Sequence, residues 1–191
     1  MIPTLPVALR NRLAATILAA VHDIDARRTL AALARAPQTW LGDEERHCAT
    51  LLAARASRAS EALAACAPSN ERGLDAIVDV AATLYAAGLH FEVHEWLEPH
   101  WAEASGHTRE ALQGLIQAAV GWQHLANDNL AGARSLLTEG AARLRGQRLG
   151  ARDFDAFARA TAEAAARVPS ATPPAFPARS LETQHGREES V

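Results

Sequence analysis

Apolar residues return every three or four positions along nearly the whole chain, which is the spacing of one face of an α-helix. Leu9, Leu13, Ile17 and Val21 lie on one such face, and the pattern predicts a long or once-broken helical segment from about Pro6 to Ala36. "PQTWLG" interrupts it. Asp43 is then placed to cap a helix reaching about Ala65, with Glu44 and Glu45 in a first turn that favours negative charge. "APSN" ends that helix, and another is expected from Glu71 to Ala87, with Gly88 as a left-handed stop. Next comes "HFEVHEWLEPHW". Beyond "SGHT", Thr108 is positioned to cap a helix reaching Leu125 or Ala126. "NDN" makes a turn, Asn129 caps a helix to about Arg145, and a last helix runs from Asp153 to Arg167. No segment reads as a strand.

The fold class that follows is all-α: an antiparallel helical bundle over residues 70–167, with an N-terminal helical extension over 1–69. The tail, 168–191, is rich in proline and polar residues and is expected to be disordered.

Composition supports the class. At 191 residues the chain fits one compact domain, or one with an extension. Only 5% of residues are aromatic, so the core must be built from Ala and Leu, which suits close helix packing. Every basic side chain that counts toward the formal charge of -3 is Arg. That balance argues against a nucleic-acid binder working through bulk electrostatics, and Arg143, Arg145, Arg148 and Arg152 read as a solvated helix end. No run approaches the roughly 20 apolar residues that span a bilayer. "LAATILAAV" mimics a short signal core, but "HDIDARR" follows it and the helical spacing continues. Cys48 and Cys66 would lie about 27 Å apart on one helix, too far for a bridge. Two isolated, buried thiols fit a reducing compartment, and the cytoplasm is the expected location.

The chemistry gathers in "HFEVHEWLEPHW". Leu89, Val93, Leu97 and Trp101 form its packing line. His90, His94 and Glu98 form the next line, about 100° round, and Glu95 joins His94 and Glu98 in one imidazole–carboxylate patch. Pro99 should loosen the helix near His100. On the following helix Gln113, Gln117 and His124 share a line beside Leu112, Leu115, Ile116, Ala119 and Trp122, while Gly114, Ala118 and Gly121 allow close approach of a neighbour. Antiparallel packing of the two helices would set His94 and Glu98 opposite Gln117 and His124. His22, His47, His107 and His185 stand alone and read as surface or capping groups.

"YAAGLHFEVHEWLEPHW", "ALQGLIQAAVGWQHL" and "NLAGARSLL", in that order, resemble the small all-helical bacterial family catalogued as domain of unknown function 309. The likeness rests on Tyr85, Gly88, Phe91, His94, Glu95, Glu98, Trp101, Gln113 to Gln117, His124, Asn129, Gly132 and Ala133. It implies the helical fold. Family members are often labelled predicted metal-dependent hydrolases.

Imidazole and carboxylate on facing helices suit zinc, iron or manganese. A hydrolase would take His94, Glu98 and His124 as ligands to such a divalent ion and Glu95 as general base, with His90, Gln113, Gln117 and Trp101 lining the site. "HEWLE" is not H-E-x-x-H, so the zinc-protease warrant does not transfer. Against this stand two readings without metal. One is a helical binding or scaffold module in which the cluster is a structural polar network. The other is a small-ligand pocket that does no chemistry. Substrate and partners stay open, self-association included.

Overall fold

In the computed structural model, residues 4–66, 68 and 73–180 are described. Helix α1 (Val7–Ala19) starts directly after Pro6 and buries Leu9, Leu13 and Ile17. The chain breaks at 20–23, and Asp23 opens α2 (Ile24–Arg35) by accepting the Asp25 N–H at 2.7 Å. Arg27 secures the break. Its Nε donates to Ala20 O at 2.8 Å and its Nη1 to Leu63 O at 2.7 Å.

A 3-10 turn over Pro37–Trp40 and another over Asp43–Cys48 precede α3 (Ala49–Ala64). Asp43 is therefore not the cap. Gly42 takes that place in extended conformation, and Glu45 Oε2 accepts its N–H at 3.3 Å. Helix α4 (Leu74–Ala86) begins after the undescribed residues that include Glu71. It ends as expected: Gly88 sits at φ +69, its N–H reaches Tyr85 O, and the Leu89 N–H reaches Leu84 O.

Helix α5 (His90–Glu103) continues through Pro99. Helix α6 (Gly106–Ala126) is entered from Ser105 in extended conformation, which leaves Thr108 inside the first turn rather than at the cap. Asp128 turns the chain at φ 62, and Asn129 Oδ1 accepts the Gly132 N–H at 3.1 Å to start α7 (Leu130–Leu144). At the α6–α7 contact the backbones nearly touch, since a Cβ added at Gly140 would lie 2.7 Å from Gly114 O. A two-stranded hairpin, β1 (Arg148–Leu149) and β2 (Arg152–Asp153), precedes α8 (Asp155–Ala166). The sequence carried no strand signal there because each strand is two residues long and the turn residue Gly150 (φ 56) does the shaping.

The all-α expectation holds, with that hairpin as the addition. The core is continuous: Leu13, Ile17 and Leu52 of the extension join Leu84, Leu97, Leu115 and Phe154 of the bundle in one buried cluster. Cys48 is buried but Cys66 is exposed, contrary to the expectation for both thiols.

Residues 168–180 depart from the expected disorder. They form a strap without regular structure whose Phe176 ring packs 5.4 Å from Tyr85, 5.5 Å from Phe154 and 5.9 Å from Phe157. Arg152 Nε donates to Pro177 O at 2.9 Å, the Ser180 N–H donates to Ala151 O at 2.7 Å, and Arg179 pairs with Asp79. One half-buried aromatic ring and these bonds supply what the composition of the strap does not. The rest of the expected tail, 181–191, lies outside the described residues.

Candidate metal site

Helix α5 presents its residues much as the spacing requires. Leu89, Val93 and Leu97 are fully buried, and one step round the helix His94, Glu95 and Glu98 come together at a partly open surface. Their side chains are 27%, 37% and 57% exposed. His94 Nδ1 lies 3.0 Å from Glu95 Oε1, and His94 Nε2 lies 3.8 Å from Glu98 Oε2. All three offer a ligand atom within 4.8 Å of the others.

This arrangement has a definite chemical sense. A carboxylate on Nδ1 favours the tautomer with its proton on Nδ1, which leaves the Nε2 lone pair facing Glu98. Glu95 is thus committed to His94 through a hydrogen bond, not held apart as a free general base.

The other anticipated members lie elsewhere. His124 is in the last turn of α6, where its Nδ1 meets Asn129 Nδ2 at 2.7 Å. Counted from the turn at Ala104 and Ser105, His94 is about ten residues back and His124 about twenty forward. At about 1.5 Å per residue the two are offset by roughly 14 Å along antiparallel axes, too far to share an ion. Gln117 faces α7 and donates through Nε2 to Glu139 Oε2 at 3.1 Å. Gln113 is half-buried one turn before it on the same line, so that line serves the α6–α7 contact and not the face opposite His94. Trp101 stacks on the Arg109 guanidinium at 3.9 Å, and Arg109 Nη1 donates to Trp101 O at 2.7 Å, closing the α5–α6 hairpin.

His90 leaves the line altogether. It is buried edge-on to Tyr85, with ring centroids 5.1 Å apart, and its Nε2 is enclosed without a hydrogen-bond partner among the described residues. Burial, aided by the Arg55 and Arg58 cations, pushes its imidazole down to about 4. Burial likewise raises the Tyr85 phenol above its ordinary range. Both groups are therefore neutral in the folded protein at pH 7.

A buried ionic pair joins α3 to α5 without having been expected from the sequence. Glu92 is fully enclosed, and both its oxygens lie 3.2 Å from Nη2 of Arg55 on α3, whose side chain is 13% exposed. A signal was present: Glu92 falls three residues after Leu89, and Arg55 three after Leu52, so each lies inside an apolar stripe.

Beside the His94 cluster a groove of about 750 Å³ opens between α1, the start of α4 and the α5–α6 hairpin. Glu95 lines it, and so do Trp96 and His100, whose rings meet at 5.4 Å. The indole is fixed by its Nε1–H, which donates to Ile77 O at 2.9 Å. Burial holds the His100 imidazole below its usual range, opposed by the Glu103 carboxylate.

Residues 78–136, from within α4 to within α7, match the profile of the family described as "Domain of unknown function (DUF309)". This segment resembles that family. It contains His94, Glu95, Glu98 and the α5–α6 hairpin, while the extension and the strap fall outside it. No curated protein and no solved structure matches the chain. Among the described residues no helix is long and apolar enough to cross a membrane.

Proposed function

We propose that this protein binds a divalent cation at His94 and Glu98, with Glu95 orienting the imidazole. The observation that carries this reading is the geometry of one helical face. His94 Nε2 and Glu98 Oε2 stand 3.8 Å apart, and His94 Nδ1 is already held by Glu95. Two ligands about 2.0–2.1 Å from a tetrahedral zinc are separated by roughly 3.3 Å, so a small side-chain adjustment closes the chelate. The cluster is partly exposed, which leaves room for water at the remaining positions. A divalent ion held by His94 and Glu98 would supply Lewis-acid chemistry at a carbonyl or phosphoryl group, and hydrolysis is the reaction class this supports. The groove bordered by Glu95 gives a substrate somewhere to lie.

The competing reading, a structural network, fits these residues less well. Among the described residues their polar contacts to one another run along α5, whereas Glu92 and Arg55 join two helices. The test is metal content and zinc titration of untagged protein against a His94→Ala, Glu98→Ala variant. Near-stoichiometric metal, lost in a variant that melts at the wild-type temperature, supports the site. Absence of metal in both proteins, with no saturable zinc binding, refutes it.

A further inference from the structure

The groove carries information beyond the ion. Its floor is aliphatic, from Leu18 of α1, Ile77 of α4 and Leu112 of α6, and part of the Trp96 indole forms a wall. Its charged lining residues are Glu95 and Glu103, and neither Lys nor Arg is among the described residues that line it. Those two carboxylates are two turns apart on α5, about 12 Å at about 1.5 Å per residue, so they bracket the groove rather than crowd one spot.

We propose that this groove binds a linear aliphatic diamine, with one ammonium group held at Glu95, the other at Glu103, and the methylene chain lying on the apolar floor. Charge complementarity selects the class: two separated anions match two separated cations, and the indole face favours a cation over an anion. The spacing selects the length. A charge-assisted hydrogen bond of about 2.8 Å at each end leaves roughly 6–9 Å between the nitrogens, the reach of an extended diamine of about five or six carbons. The apolar floor gives the chain between them a reason to leave water. Glu103 is exposed and makes no part of the His94 cluster, whereas Glu95 already meets His94 Nδ1 through Oε1, so the groove and the ion site share Glu95 and are told apart at Glu103.

The experiment is isothermal titration of hexane-1,6-diamine into the full chain stripped of metal with EDTA, at low and high salt. Saturable binding is expected that weakens at least tenfold when hexylamine replaces the diamine, and at least tenfold in Glu103→Gln. The same affinity is expected in Glu98→Ala, which removes an ion ligand while leaving Glu95 and its His94 partner in place, and so separates this groove from the ion site. Melting of each variant is recorded alongside, and the exposed position of Glu103 makes an unchanged fold the expected result. No saturable heat overturns the proposal. So does equal binding of hexylamine, or an affinity indifferent to Glu103→Gln.

Discussion

Arg55→Met is the most informative single change in this protein. It keeps most of the aliphatic stem of Arg55 while removing the cation paired with Glu92. Glu92 has no exposed side-chain surface, so its carboxylate cannot turn to water without opening the α3–α5 contact. Breaking one side of a buried pair costs about 3–5 kcal/mol, because the remaining charge loses its compensation and still stays desolvated. For a chain of this size about 1 kcal/mol moves the melting temperature by roughly 2–4 °C, so a fall of roughly 6–20 °C is expected. The double variant Arg55→Met, Glu92→Met removes both charges and should recover to within about 1–2 kcal/mol of wild type. Urea unfolding followed by circular dichroism reads both, provided the transition is two-state. A loss below about 1 kcal/mol in the single variant, or a double variant no more stable than the single, would show that the pair is not desolvated as its burial implies.

Other consequences can be checked independently. His90 is held neutral down to about 4 against a free value of 6.5, so the unfolded chain takes up its proton first as pH falls. Its contribution is full above pH 6.5 and gone by about 4, roughly 3 kcal/mol in all; His90→Phe should flatten this part of the urea-midpoint profile, and an unchanged slope would contradict it. Glu95→Gln should weaken zinc binding about 10–100-fold by loosening the His94 imidazole, and unaltered affinity would remove Glu95 from the site. Gly140→Ala forces a methyl to within 2.7 Å of Gly114 O and 2.8 Å of Ala118 N, both backbone atoms, so a destabilisation of at least about 1–3 kcal/mol is expected on melting. Phe176→Ala should cost about 1–3 kcal/mol and expose the strap at 168–180 to proteolysis; a strap as protease-resistant as wild type would mean that the ring does not anchor it.

What the amino-acid order determines here is local. The period of the apolar residues sets the helices, the Schellman stop at Gly88 and the cap at Asn129 follow from backbone chemistry, and His94, Glu95 and Glu98 share a face because three- and four-residue spacings always do. None of these needs a neighbour. The relation between helices does. Gln113, Gln117 and His124 form one line on α6, but a helix borders several others, and periodicity cannot say which neighbour a line meets. Packing turned that line toward α7, where Gln117 meets Glu139 and His124 meets Asn129, and the length of the α5–α6 hairpin carried His124 past His94. Glu92 and Arg55 each fall inside an apolar stripe, but that they pair with one another is decided only when α3 and α5 close over them. The strap at 168–180 has too little apolar surface to order itself; it is held because Tyr85, Phe154 and Phe157, distant in sequence, build a place for one phenylalanine.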